Sequence, residues 1–373
     1  MIYLDNAASA PPSESTLNII TQTLRDYPAN PSAVHQMGVS AKKAYNYAKQ
    51  SLASMLGAHW KNLVITGSAT EASNQAIKGV HSLHPHKTIV SSTIEHAATE
   101  TTLKALEAKG AHVVRLSVDT DGRILPKTLD KVLNNHDVSL VTLIHAHNEI
   151  GTLQSIESIV SLTHSHGALL HMDMVQSAGH MPINLEAMGI DLASFSAHKF
   201  HGPKGIGMLY SAVPSLPPLI HGGGHEEGMR SGTLNLAGIK GMEHALSEVI
   251  ETMDQREATY RACAKALTHA LKNEGVDFKV IGPPLGQDRL HNIINIAFKD
   301  ADNTDLGFAL SEAGIMVATK SACATGSIES SPTMHALGVD EDYINGTLRI
   351  SLNASHTPST MQHVAKTIAH HLK

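Results

Sequence analysis

Short apolar runs alternate with helical stretches through the first two-thirds of this 373-residue chain. The runs are 63–66, 88–91, 112–116, 140–144 and 168–171. Most are continuously apolar rather than alternating, the pattern of strands buried on both faces. Helical stretches lie between them at 40–56, 69–81, 100–109 and 156–166. Strands and helices in this order pack as an α/β fold, a mostly parallel sheet with helical covers. From Gly238 to Leu271 the pattern becomes one long helical stretch, rich in charge at its middle. A run at 292–297, a helix near 304–312 and a strand at 347–352 follow and read as a smaller α+β unit. The boundary between the two falls near residue 245.

Composition removes several classes of function. A net charge of −6 offers no basic face for nucleic acid, and 3% aromatic content offers few stacking platforms. The 26 histidines are scattered, mostly singly, with no helical His-Glu-x-x-His pair or Cys/His cluster, so no metal site is expected. Two cysteines, Cys263 and Cys323, form no disulfide framework and suit a reducing compartment. The first residues carry neither a basic nor an apolar leader segment. No apolar run approaches the roughly 20 residues of a membrane span. A cytoplasmic protein is the expectation.

Two segments carry the strongest chemical signal. In one, Asp173 closes the run that begins at Gly167-Ala-Leu-Leu and is followed by Gln176 and Ser177. In the other, Ser194-Phe-Ser196-Ala-His198-Lys199 puts a lysine at a strand end before a Gly-rich turn. A lysine amine can hold an aldehyde as a Schiff base, and a carboxylate can pair with a protonated pyridine nitrogen. That combination is what pyridoxal phosphate chemistry needs.

Other segments sit at equivalent places. Gly67-Ser-Ala69-Thr70-Glu71 follows a strand and opens a helix, where small residues let backbone N–H groups reach a phosphate. A simple helix cap reads the same way. His96 follows the strand 88–91, in position to stack on a ring or move a proton. Asn148 follows the strand 140–144 as a donor to the cofactor, or as part of a turn. The segment 221–233 is a flexible Gly-rich loop whose final Ser or Thr can reach a phosphate. Cys323 lies in a polar loop beside Lys320, which favours its thiolate. Cys263 sits in a helical stretch and reads as packing. Arg349, in the strand 347–352, suits a bidentate clamp on a carboxylate or a surface ion pair.

Taken together, these segments resemble the cysteine desulfurases of the nitrogen-fixation and iron–sulfur-cluster type, within the class V aminotransferases. The resemblance runs nearly end to end. It rests on Tyr3-Leu-Asp-Asn-Ala-Ala, Asn30-Pro-Ser-Ala-Val-His35, Ala69-Thr-Glu71, Glu95-His96 and Asn148-Glu-Ile-Gly151. It continues through Asp173-x-x-Gln176-Ser177, Ser196-x-His198-Lys199, Gly223-Gly-His225-Glu226, Arg230-Ser-Gly-Thr233, Ser321-Ala-Cys323 and Arg349-x-Ser-Leu352. It departs at Glu227, at His147 in place of an Asn, and at Lys320 in place of a Gly.

The resemblance implies the fold type I of pyridoxal-phosphate enzymes, with a seven-stranded, mostly parallel sheet in a large domain at 15–245. Residues 1–14 and 246–373 would form the small domain. It implies a homodimer with pyridoxal 5'-phosphate as cofactor. Lys199 would carry the cofactor, Asp173 pair with its pyridine nitrogen, Gln176 contact its phenolic oxygen and His96 stack on its ring. Ala69, Thr70, Ser196 and His198 would surround the phosphate, with Thr233 reaching in from the partner subunit. Asn148 and Arg349 would bind the carboxylate side of the substrate L-cysteine. Cys323 would take the sulfur, leaving alanine, and pass it to an acceptor protein such as a cluster scaffold or sulfur carrier. Selenocysteine lyase or cysteine-sulfinate desulfinase activity on the same scaffold is the nearest alternative. A non-catalytic binding protein is the alternative of another class.

Overall fold

Seven strands pair into one sheet that is helix-covered and almost entirely parallel. The structure is a computed structural model and describes residues 1–319 and 331–373. In chain order its strands are β1 (Ile2–Tyr3), β2 (Leu63–Thr66), β3 (Thr88–Ser92), β4 (Val113–Leu116), β5 (Val138–Ile144) and β6 (Leu169–Asp173). There follow β7 (Leu192–Ser196), β8 (Gly207–Ser211), β9 (Phe278–Ile281), β10 (Ile293–Phe298), β11 (Ile315–Met316) and β12 (Thr347–Ser351). The large sheet runs β2-β8-β7-β6-β5-β3-β4. Only β8 is antiparallel to its neighbours. All seven residues of β5 are buried, as expected for a strand with helices on both faces. All five strands marked by the sequence are present, with ends shifted by at most two residues.

The second unit is the antiparallel sheet β12-β10-β9. Helices Met253–Asn273 and Pro358–Leu372 cover it through an apolar cluster that includes Leu267, Ile296, Phe298, Ile350, Val364 and Ile368. Cys263 belongs to that cluster and is fully buried, so it packs as the sequence suggests. The N-terminus joins this unit: β1 pairs with β11, and Leu4 lies in the same cluster.

The single helical stretch expected over 238–271 is two helices, Leu236–Glu251 and Met253–Asn273, which part at Thr252. The first buries Ile239, Met242, Leu246 and Val249 in the core of the large sheet. The second buries Tyr260, Cys263, Leu267 and Leu271 in the other core. One straight helix cannot serve both cores, and the turn follows. Thr252 Oγ1 donates to the Glu248 carbonyl at 2.8 Å at the end of the first helix.

A polar wire crosses the large sheet. His171 Nδ1 meets Thr142 Oγ1 at 2.8 Å and its Nε2 meets Ser194 Oγ at 2.9 Å. Ser73 Oγ donates to Ser194 Oγ at 3.0 Å. Complete burial pushes His171 down to about 3, so it stays neutral when folded. An unfolded histidine takes up a proton near pH 6.5. Stability from this group is therefore full above that pH and is lost as pH falls toward 3. Relative to His171→Asn, the wild type should lose about 1.4 kcal/mol for each pH unit below about 6, with a constant difference above 7. Urea unfolding of both proteins from pH 4.5 to 8 measures this.

Candidate active site

Apart from the loop 221–233, the chemistry-bearing segments of the large unit follow the carboxyl ends of the parallel strands, where α/β sheets open a crevice. Gly67 to Thr70 follow β2, and Glu95 and His96 follow β3. Asn148 follows β5, Asp173 ends β6, and Ser196 ends β7. His198 and Lys199 lie on a single 3-10 turn, Ala197–Lys199. One cleft collects Ala69, Thr70, His96, Asn148, Asp173, Gln176, Ser196, His198, Lys199 and Arg349. Ser68, Ala7 and Ala8 complete much of its wall.

The turn at 67–70 is built as a cradle. Ser68 caps helix Ala69–Leu83, its hydroxyl accepting from Glu71 N at 3.1 Å. Glu71 reaches back and accepts the Gly67 N–H at 2.7 Å. Its other oxygen takes Arg230 Nε at 2.9 Å, tying the turn to the loop 221–233. A Cβ at Gly207 of β8 would lie 2.6 Å from Ser68 and from the Phe195 carbonyl, so only glycine lets that strand approach so closely. His198 contacts Ser9 Oγ at 3.3 Å. Burial, with Lys199 and Lys204 nearby, pushes it down to about 4, so it is neutral at pH 7.

At the other end, Asp173 is buried and accepts the Val175 N–H at 3.0 Å. Burial raises its pKa, while the nearby His96 and Lys199 oppose that rise. Burial pushes Glu95 up to about 8, so it adds no second negative charge there at pH 7. His96 caps helix Ala97–Glu107, its Nδ1 accepting from Ala98 N at 3.1 Å. The ring's remaining N–H is then on Nε2. Lys199 Nζ donates to the carbonyls of Ala7 at 2.7 Å and Ala8 at 2.9 Å. Gln176 Nε2 also donates to Ala7 O, at 2.9 Å. Arg349 enters from β12 and is 5% exposed, so it is no surface ion pair.

Two expected site residues stand apart. Thr233 is exposed and does not line this cleft. Cys323 lies outside the described residues. The loop that leads to Thr233, which reads as flexible, is pinned from beneath. Glu226 is buried and accepts from Lys49 Nζ at 2.7 Å and from the Tyr45 hydroxyl. That grip holds Glu226 and Glu227 at positive φ, 53° and 56°, which non-glycine residues adopt only when their surroundings impose it. His147, where the resemblance suggests an Asn, is a buried clasp: Nε2 meets the Ile94 carbonyl at 2.9 Å, and Nδ1 accepts from Glu149 N at 3.2 Å.

The profile of the class-V aminotransferases matches residues 2–364. The chain belongs to that family. It is 34% identical to a cysteine desulfurase IscS of Dictyoglomus turgidum, over 97% of this chain and 92% of that one. It is also 34% identical to a putative cysteine desulfurase IscS 1 of Bacillus subtilis, over 99% and 97%. Among solved structures, a NifS-like protein superposes with a TM-score of 0.92 at 33% identity, over 100% and 99% of the two chains. A structure described as SspA in complex with cysteine gives a TM-score of 0.83 at 32% identity, over 95% and 99%. The fold is that of the pyridoxal-phosphate enzymes of type I.

Pyridoxal 5'-phosphate is the cofactor of this family, and the donor set of the cleft fits it. A helix N-terminus with hydroxyls from Ser68, Thr70 and Ser196 suits a phosphate. A buried carboxylate suits a pyridinium, and a lysine in the same cleft suits the aldehyde. Sequence reasoning held Ser68 within the phosphate segment and Ala7 and Ala8 within the Tyr3-Leu-Asp-Asn-Ala-Ala motif but gave none of them a role in the site. Ser68 was legible as a cap, whereas the alanines act through carbonyls and leave no side-chain signal. Glu71→Gln should raise the Kd for pyridoxal phosphate about tenfold, since it weakens charge-assisted bonds to Gly67 and Arg230. Equilibrium dialysis of the apoprotein measures this, with circular dichroism confirming an intact fold.

Proposed function

We propose that this chain is a pyridoxal-phosphate-dependent L-cysteine desulfurase that releases L-alanine and passes the sulfur through Cys323 to an acceptor protein. The observation that carries the reading is the meeting of Lys199, Asp173 and Arg349 in one cleft. The cysteine desulfurases among its relatives, matched over nearly the full chain, support the choice of substrate.

Bound pyridoxal phosphate supplies an electron sink for the pair left at Cα when the substrate loses its proton. Asp173 would keep the pyridine nitrogen protonated, and His96 would cover the ring. Ala69, Thr70, Ser196 and His198 would hold the phosphate, and Gln176 would serve the phenolic oxygen. Arg349 and Asn148 hold the substrate carboxylate and so orient the Cα–H. Lys199, as free amine, takes the Cα proton. The carbonyls of Ala7 and Ala8, already acceptors for Nζ, then steady the ammonium. The Cys323 thiolate attacks the substrate sulfur, and the Cβ–S bond breaks with its electron pair going to Cβ. Cβ and Cα each take a proton, alanine leaves, and Cys323 carries a persulfide. An acceptor thiol, on a cluster scaffold or sulfur carrier, then takes the outer sulfur.

We read the working unit as a homodimer, with Thr233 of one chain serving the phosphate of the other. Its exposure at the end of a pinned loop supports this, as do the exposed Val34, Met37 and Tyr47. We place the protein in the cytoplasm. Among the described residues no helix is long and apolar enough to cross a membrane. We divide the chain into a large domain and a small one made of 1–14 and the C-terminal part, and move the boundary from 245 to the break at Thr252, since Leu246 and Val249 pack in the core of the large sheet. The membership of Leu4 in the second apolar cluster supports that division.

Alanine release from L-cysteine, with reductant and added cofactor, tests the function. Wild type should release alanine, and Cys323→Ala should be slower by about 100-fold or more. Equal rates would refute sulfur transfer through Cys323, and no release from wild type would refute the activity.

A further inference from the structure

Arg349 does not face the cleft as a lone cation. Its Nη2 donates to Asp5 Oδ1 at 2.7 Å and its Nη1 to the Asn148 carbonyl at 3.1 Å. Its Nε–H is buried without a hydrogen-bond partner among the described residues. Asp5 lies on the N-terminal segment that runs beside β12. Other groups hold that segment in place. Ser351 N donates to Leu4 O at 2.7 Å, Asn6 Nδ2 to Ser351 O at 2.9 Å, and Ala7 N to Ser351 Oγ at 2.9 Å. The Asp5 carbonyl takes the N–H groups of Ala8 and Ser9 and the Tyr3 hydroxyl. Among the described residues the Asp5 carboxylate has one recorded hydrogen-bond partner, the Arg349 guanidinium. It is three-quarters covered, and Ala7 and Ala8 just beyond it line the cleft.

We propose that Asp5 is a positioning and specificity-determining residue for amino-acid recognition. It grips one arm of the Arg349 fork, so the guanidinium is fixed before substrate arrives. The substrate carboxylate then joins Arg349 as its second anion, not its first. Two consequences follow from the charges. The resident carboxylate weakens the hold on any incoming carboxylate, which favours release of alanine. It also disfavours an amino acid whose side chain brings another negative charge, because like charges this close repel through a partly desolvated medium. The inference rests on the reading of Arg349 as the carboxylate-binding group.

The test is calorimetric titration of L-alanine and of L-aspartate into the holoenzyme, with the KM and kcat for L-cysteine measured beside it. Asp5→Asn keeps an acceptor oxygen in place and removes the charge. It should bind L-alanine about fivefold more tightly and gain more than that for L-aspartate, with kcat changed less than twofold. Asp5→Ala loses the grip as well, and its KM should rise about tenfold. In an Arg349→Ala background Asp5→Ala should no longer raise the KM, because the grip it removes is gone, whereas the direct repulsion of L-aspartate by Asp5 should remain. Equal weakening by Asn and Ala, or a KM effect of Asp5→Ala that persists without Arg349, would overturn the proposal. Should Asp5→Ala fail to fold, Asp5→Asn decides alone. Unchanged alanine binding in Arg349→Ala would refute the role of Arg349 and this inference with it. A wild type that makes no alanine from cysteine would refute the desulfurase reading alone, and the alanine titrations would still decide the role of Asp5.

Discussion

The parallel pairing of β6 between β5 and β7 is the constraint on which the site depends. Asp173 sits opposite Ile144 on one side and Ser194 on the other. That register puts the carboxylate at the last rung of β6, while β7 runs two residues further and then turns to present Lys199. A slip of one residue would send every side chain of a strand to the opposite face. Asp173 and Lys199 would then no longer share a cleft. The nearly continuous burial of β5, β6 and β7, broken only at Leu169, makes such a slip costly, because it would misplace apolar side chains along the sheet. The chemistry is thus positioned by the packing of residues that take no part in it.

The N-terminal segment closes the arrangement from the other side. Its residues Leu4 to Ala7 are laced to β12, while the carbonyl of Ala7 takes donors from both Gln176 and Lys199. One short strap therefore fixes Arg349, on the antiparallel sheet, relative to Lys199, on the parallel one. Charge in the cleft and in the core around it is kept sparse by burial. His145, His171 and His198 are all pushed down to about 4 or below, and Glu95 up to about 8. At neutral pH these groups stay uncharged, so the fields felt by a ligand come from few residues, and each can act strongly.

Much of this was legible in the sequence, and the gaps have physical causes. Continuous apolar runs marked the strands, and their carboxyl ends pointed to Thr70, His96, Asn148, Asp173 and Lys199, while the family resemblance supplied Ala69, Gln176, Ser196 and His198. Helices Glu14–Asp26 and Pro358–Leu372 passed unmarked although their starts carry capping signals at Ser13 and at Thr357-Pro358. The strand β8 was hidden by its glycine, which is there for close approach to Ser68 rather than for strand propensity. The break at Thr252 was hidden because both halves are good helix formers, and only the presence of two cores demands the turn. The Asp5–Arg349 pair was beyond reach, since its members are 344 residues apart in the chain.

The central claim is that Lys199, placed by the end of β7 against Asp173, is the residue that takes the cofactor. Pyridoxal phosphate should be added to the apoprotein, the linkage reduced with borohydride, and the tryptic peptides mapped by mass. A single label on Lys199, abolished in Lys199→Ala, is the predicted result. A label on another lysine, or none, would contradict the account.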